Sequence, residues 1–206
     1  MRYESGLGQG GNLEVDLNFM FREPLFPVVN MDSMPIGLYR IVGVPVLDIH
    51  ELAAGKLAAL LSRQASRDLF DVHLLLNQRE LDIEKLRLAF VVYGAMSRKD
   101  WRTVSQEDVN LDVRELESQL VPVLREILAE DVSLQEWTDK LVEECRQALS
   151  ILLPLPDKAI EFLTKINELG QIEPDLITTD RSLQEIITRH PSLNWKAQNV
   201  REYMNR

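Results

Sequence analysis

The sequence predicts an α+β protein: a small, partial sheet at the N-terminus followed by a mainly α-helical domain. Two observations carry this. Residues 12–21 alternate polar and apolar side chains with the period of two that a half-buried strand needs. From Asp48 onward, apolar residues recur at helical spacing between recognisable caps and breakers. The expected division is residues 1–47 for the strands and residues 48–206 for the helices.

Composition bounds the class. The chain has 206 residues, is 45% hydrophobic and contains no run of eighteen apolar residues, so a soluble protein without a membrane span is expected. Met1 is followed by a polar, glycine-rich stretch rather than a basic segment and an apolar core, and the single Cys145 has no internal disulfide partner. A cytoplasmic location is the expectation. The net charge of −10 argues against a broad electrostatic grip on nucleic acid and leaves room only for a local basic channel.

In chain order, residues 3–11 hold Gly6, Gly8, Gly10 and Gly11 and read as a loop or turn. The alternating strand follows, with Leu13, Val15, Leu17, Phe19 and Phe21 on one face and Asn12, Glu14, Asp16 and Asn18 on the other. Pro24, Pro27 and Pro35 punctuate a loop, after which residues 36–41 read as a short strand and 42–47 as a further extended piece. Asp48 caps a helix to about Arg63, with Glu51 at capping-box spacing, and Ser66 caps a second helix to about Asn77. Helical periodicity then covers residues 82–96, 112–128, 133–153, 156–169, 182–189 and 191–203, with Gly170 closing one helix and Pro154, Pro174 and Pro191 marking breaks.

The chemistry centres on Lys56. Of residues 52–61 only Gly55 and Lys56 interrupt the apolar run, so this helix is expected to be covered on most sides. An ammonium embedded there either reaches water along its stem or meets a fixed anion. Lys56 shares its face with Leu52, Ala53, Ala59, Leu60 and Arg63, so two cations lie together. Either they form a phosphate site or they pair with structural carboxylates. Gly55 costs a helix interior about 1 kcal/mol relative to alanine and hints at close approach by a backbone or ligand. On the second helix Arg67 and Asp71 are i,i+4 neighbours and Asp68 and Asp71 are i,i+3 neighbours. One of these acids is expected to anchor Lys56 or Arg63 between the two helices.

Other features are weaker. Glu14 and Asp16 project from one strand face, as carboxylates holding a divalent metal do, and equally as a solvated sheet face does. His50, His73 and His190 lack metal-ligand spacing with one another or with Cys145. Asp100-Trp-Arg102 reads as an interhelical loop whose aromatic packs or meets a partner, and Trp195 as a core anchor for the last helix.

The run from Pro45 to Leu76, above all Val46-Leu-Asp-Ile-His-Glu-Leu-Ala-Ala-Gly-Lys56 with Arg63 and Ser66-Arg-Asp-Leu-Phe-Asp71, resembles the signature of the AbiEii/AbiGii toxin group of nucleotidyltransferases. Leu13-Glu-Val-Asp-Leu-Asn-Phe-Met-Phe-Arg22 is similar to that group's later sheet strand, and the region Ser192-Leu-Asn-Trp195 is similar in character. The resemblance implies a nucleotidyltransferase-type sheet, a helical C-terminal domain, and a toxin of a toxin–antitoxin or phage-defence system. Such a toxin moves a nucleotide from an NTP, with Mg²⁺, to an acceptor such as tRNA, and is paired with a cognate antitoxin. Carried onto this chain, it implies Asp16, Lys56 and Asp68 as catalytic, Lys56 and Arg63 as nucleotide-binding, Glu14 and Asp16 as metal ligands, and Glu51, Arg67 and Asp71 as supporting residues.

The chain departs from that pattern at its start. The Gly-Ser turn, helix and Asp-x-Asp expected ahead of the Glu14–Asp16 strand are not in this sequence, and Gly10-Gly11 stands too close to Glu14 to leave room for the helix. The expectation is therefore the truncated C-terminal part of a family member, lacking the principal metal ligands. Two functions stand against each other: nucleotidyl transfer, and a non-catalytic helical module that binds an antitoxin-like partner. An incomplete sheet also predicts exposed apolar surface and an open edge through which a second copy associates.

Overall fold

The computed structural model describes residues 2–4, 10–12, 17, 23–124 and 133–205. Its strands form two antiparallel pairs. β1 (Arg2–Glu4) pairs with β2 (Gly10–Asn12), and β3 (Val29–Met31) pairs with β4 (Val44–Val46). The α+β class holds. The glycine-rich stretch expected as a loop thus contributes a strand at either end. Of the alternating segment 12–21, only Asn12, which closes β2, and the exposed Leu17 are described; Glu14 and Asp16 lie outside the described residues.

Residues 36–41 correct the expected strand. Ile36 and Tyr39 exchange backbone hydrogen bonds of 2.9 and 3.1 Å around Gly37, whose φ of 59° reverses the chain in two residues. The segment is the tip of a hairpin whose legs are β3 and β4. Only three residues long and flanked by Pro27 and Pro35, β3 is too short for periodicity to mark.

The body of the protein is built around α1 (Ile49–Arg63), which lies between α2 (Ser66–Gln78) and α3 (Ile83–Met96). Ala53, Ala54, Leu57, Leu60 and Leu61 of α1 are buried, as its nearly continuous apolar run requires. Each buried leucine contributes about 1.5–3 kcal/mol relative to exposure. Leu25 and Phe26, from the segment before β3, join the same core. Beyond α3 comes α4 (Val113–Glu115), continued by a wider turn over Leu116–Leu120 and a tighter one over Val121–Val123. Pro122 has no N–H to give to a regular helix, so the expected single helix winds unevenly as far as it is described.

α5 (Leu134–Leu149) starts with a reciprocal Ser133–Glu136 capping box and packs Leu141, Cys145 and Leu149 into the core, its chief neighbour being α2. α6 (Asp157–Thr164) continues over Lys165–Leu169 and ends at Gly170 with φ 61°. α7 (Arg181–Arg189) and α8 (Pro191–Met204) close the chain, α8 leaning on α3 and on the end of the α6 segment. No helix among the described residues is long and apolar enough to cross a membrane.

Trp195 is not the core anchor expected. It is 58% exposed, because α8 turns Leu193 and Ala197 inward and Trp195 lies some 200° from Leu193 around the helix. The buried tryptophan is Trp101, packed against Phe90 with ring centroids 5.1 Å apart, so the Asp100-Trp-Arg102 loop serves packing.

Candidate functional site

The start of α1 is fixed by two side chains. Asp48 Oδ1 accepts the backbone N–H of His50 at 2.9 Å and lies 2.6 Å from His50 Nδ1. His50 Nε2 accepts the backbone N–H of Asp82 at 2.8 Å, so the ring proton sits on Nδ1 and the imidazole ties the α1 cap to the α3 cap. Glu51 does not complete a capping box with Asp48. Its carboxylate turns inward instead, Oε1 accepting the Leu25 N–H and the Tyr93 hydroxyl at 2.9 Å each, and Oε2 the Phe26 N–H at 3.2 Å. A nearly solvent-free carboxylate satisfied by three donors outcompetes a surface cap.

The other end of α1 is a tight reversal. Gln64 adopts the left-handed conformation, φ 53°, and its N–H returns to the Leu60 carbonyl at 2.9 Å. Ala65, not Ser66, is the N-cap of α2; it offers no side-chain acceptor, and Glu115 from α4 fills the gap by accepting the Ser66 N–H at 2.8 Å. This short turn sends α2 back along α1. Lys56 and Arg63, two helical turns apart, therefore face Asp71 and Asp68.

The four side chains form one ionic cluster. Arg63 grips Asp68 with Nε at 2.5 Å and Nη2 at 2.9 Å, one bond to each oxygen. Lys56 Nζ is 2.6 Å from Asp71 and 3.8 Å from Asp68. The anchoring of α1 cations by an α2 acid is as expected from the sequence. Asp68 is 2% exposed at its side chain, whereas Lys56 is 41% and Arg63 66% exposed. The carboxylate is thus the buried support, and the two cations are the face presented to solvent. The hydrogen bond and then the charge of Asp68 raise the Arg63 guanidinium above its ordinary value.

Arg67 does not pair with Asp71 as its spacing implied. Its Nε donates to the Gln119 carbonyl at 3.3 Å, because Asp71 is already held by Lys56. No group of three His, Cys, Asp or Glu side chains able to hold a metal occurs among the described residues. Both Asp68 oxygens and Asp71 Oδ2 bond cations, so these two acids do not form a ready-made Mg²⁺ site. Burial pushes the Cys145 thiol up to about 12, which leaves it a packing group rather than a nucleophile.

Sequence reasoning missed Tyr93 and Glu115. Both act across 42 and 49 residues of chain, and no local pattern marks such partners. A groove of about 730 Å³, floored by Phe26, Leu88, Ile177 and Leu183 and flanked by Lys85 and Lys158, lies elsewhere on the surface; none of the four cluster residues lines it.

No curated protein and no solved structure matches the chain. The family described as nucleotidyl transferase AbiEii toxin, type IV toxin–antitoxin system, matches residues 1–163, a span that includes the whole α1–α2 ionic cluster. The chain belongs to the AbiEii nucleotidyltransferase toxin family.

Proposed function

We propose that the chain acts in nucleotidyl transfer from an NTP to an acceptor such as tRNA, with Lys56 and Arg63 as the cations that receive the triphosphate. The observation that carries this reading is the asymmetry of the cluster: a buried Asp68 fixes the geometry while both cations remain open to solvent. A bound triphosphate displaces no buried group. It adds an anion to a face whose positive ends are already oriented, which is the preorganisation that phosphoryl chemistry draws on. Asp71 then serves as the counter-ion that keeps Lys56 in place in the absence of nucleotide.

In this reading Glu14 and Asp16, which lie outside the described residues, would be the oxygen ligands of Mg²⁺, whose charge would offset that of the phosphates. Asp68 acts by holding Arg63 and Lys56, a positioning role. The family's place in type IV toxin–antitoxin systems implies an antitoxin partner for this chain.

A second reading rests on a specific observation as well. The two cations and two carboxylates compensate one another, as in a cluster that only joins α1 to α2 in a non-catalytic interaction module. One experiment separates the two. Titrating the protein with labelled Mg–NTP, wild type against Lys56→Ala and Arg63→Ala, is expected to show at least about tenfold weaker binding in each variant, equivalent to about 1.4 kcal/mol. Label transfer to tRNA is expected to fall in parallel, with the melting temperature nearly unchanged. Unchanged nucleotide binding alongside lost thermal stability would establish the structural module instead.

A further inference from the structure

The hairpin carrying β3 and β4 presents apolar side chains to solvent. Met31, Met34, Ile36, Tyr39 and Ile41 are each more than half exposed, and Leu38 at the tip is fully so. Six exposed large apolar side chains on one hairpin are a clustered patch, unlike the scattered single apolar residues normal on a monomer's surface. Its charges are spent internally. Asp32 and Arg40 pair at 2.8 Å, the second Asp32 oxygen accepts the Gly43 N–H at 2.9 Å, and residues 27–47 contain no other Asp, Glu, Lys, Arg or His. In a chain of net charge −10, this neutral surface offers a second copy little electrostatic opposition.

The two edges of the hairpin differ. Pro45 stands opposite Asn30 in the β3–β4 register. Having no N–H, it fits only in a pair whose backbone N–H positions point away from each other, so it blunts the outer edge of β4. By the same geometry Asn30 turns its N–H and C=O to the outer edge of β3. Among the described residues no strand pairs with that edge.

We propose that the hairpin is a self-association surface on which β3 of one copy pairs antiparallel with β3 of a second across a two-fold axis. The product is a four-stranded sheet in the order β4–β3–β3–β4, covering Val29 and Met31 of both copies. The pairing is isologous, each copy presenting the same β3 edge to the other.

Sedimentation equilibrium on the chain is expected to give twice its mass of 23.7 kDa at micromolar concentration. Asn30→Pro, which removes the edge N–H while sparing the β3–β4 ladder, and Met31→Lys, which puts a charge on the joined face, are each expected to yield monomers with unchanged helical circular dichroism. Pro45→Val restores a donor on β4 and is expected to drive association beyond the dimer. A wild-type monomer throughout the micromolar range, or a dimer that survives both Asn30→Pro and Met31→Lys, overturns the proposal. So does a monomer whose hairpin amides resist hydrogen exchange, since the hairpin is then covered by its own chain.

Discussion

The Tyr93 hydroxyl donates to Glu51 across 2.9 Å, and the same carboxylate holds the backbone of Leu25 and Phe26, so one buried side chain joins α1, α3 and the N-terminal segment. Removing it deprives two buried N–H groups of their acceptor and takes one partner from the Tyr93 hydroxyl. Glu51→Ala is expected to lower unfolding free energy by about 3–5 kcal/mol, and Tyr93→Phe by about 1–2 kcal/mol, since only one donor is then lost. Urea unfolding followed by circular dichroism reads both. A Glu51→Ala protein within about 1 kcal/mol of wild type contradicts this assignment of the carboxylate.

Asp68 is the buried member of the ionic cluster, so stability depends on it far more than on its cations. Asp68→Asn is expected to cost about 2 kcal/mol, because a buried site built for an anion keeps its geometry and loses its charge. Lys56→Ala and Arg63→Ala, at substantially exposed positions, are expected to cost less than about 1 kcal/mol each. A double-mutant cycle over Arg63 and Asp68 tests the coupling. Equal losses from the acid and from either cation would show that burial does not set the hierarchy.

How far this architecture is legible in the sequence depends on the range of the forces concerned. The caps at Asp48, Asp82, Asp112 and Ser133 are local, involve side chains two or three residues from the N–H groups they satisfy, and are found by spacing alone. The anchoring of Lys56 and Arg63 was also accessible, because a short turn between two helices leaves few alternatives. The inward turn of Glu51 was not. Its spacing from Asp48 fits a capping box, and only the arrival of Leu25, Phe26 and Tyr93 from distant parts of the chain decides the outcome. Trp195 failed for a related reason: hydrophobic size predicts burial, whereas the face that α8 turns inward is set by Leu193 and Ala197.

Two helical glycines are predicted to behave oppositely. A Cβ on Gly55 would meet Tyr93 Cε1 at 3.4 Å, an ordinary contact, so no close approach requires the glycine. Gly55→Ala is expected to raise stability by up to about 1 kcal/mol, through helix propensity. A Cβ on Gly94 would fall 2.0 Å from Trp101 Cδ1, inside a fully buried ring. Gly94→Ala must displace that indole, and a loss of about 3 kcal/mol or more is expected. Thermal melts of the two variants give the comparison, and a destabilised Gly55→Ala would reveal a constraint at that position beyond the Tyr93 contact.

Alkaline pH separates two half-buried groups of opposite sense. Burial lowers Lys196 to about 8, with Arg102 adding to the shift and Asp100 opposing it, while its ammonium donates to the Ser97 carbonyl at 2.9 Å. Between about pH 8 and its unfolded value near 10.4 the unfolded chain binds the extra proton, so the Lys196 contribution makes stability rise with pH across that window. Tyr93 is shifted upward, first by burial and then by the charge and hydrogen bond of Glu51. The folded protein keeps the phenol proton where the unfolded chain loses it, so above about pH 10 the Tyr93 contribution makes stability fall. The Cys145 thiol, raised to about 12, acts in the same sense as Tyr93 from its unfolded value near 8.5 upward, so the Lys196 rise is read in a Cys145→Ala background. Lys196→Met is expected to remove the rising limb and Tyr93→Phe to soften the falling one, as read by urea midpoints taken at successive pH values. A rising limb that persists in Lys196→Met assigns it to another group.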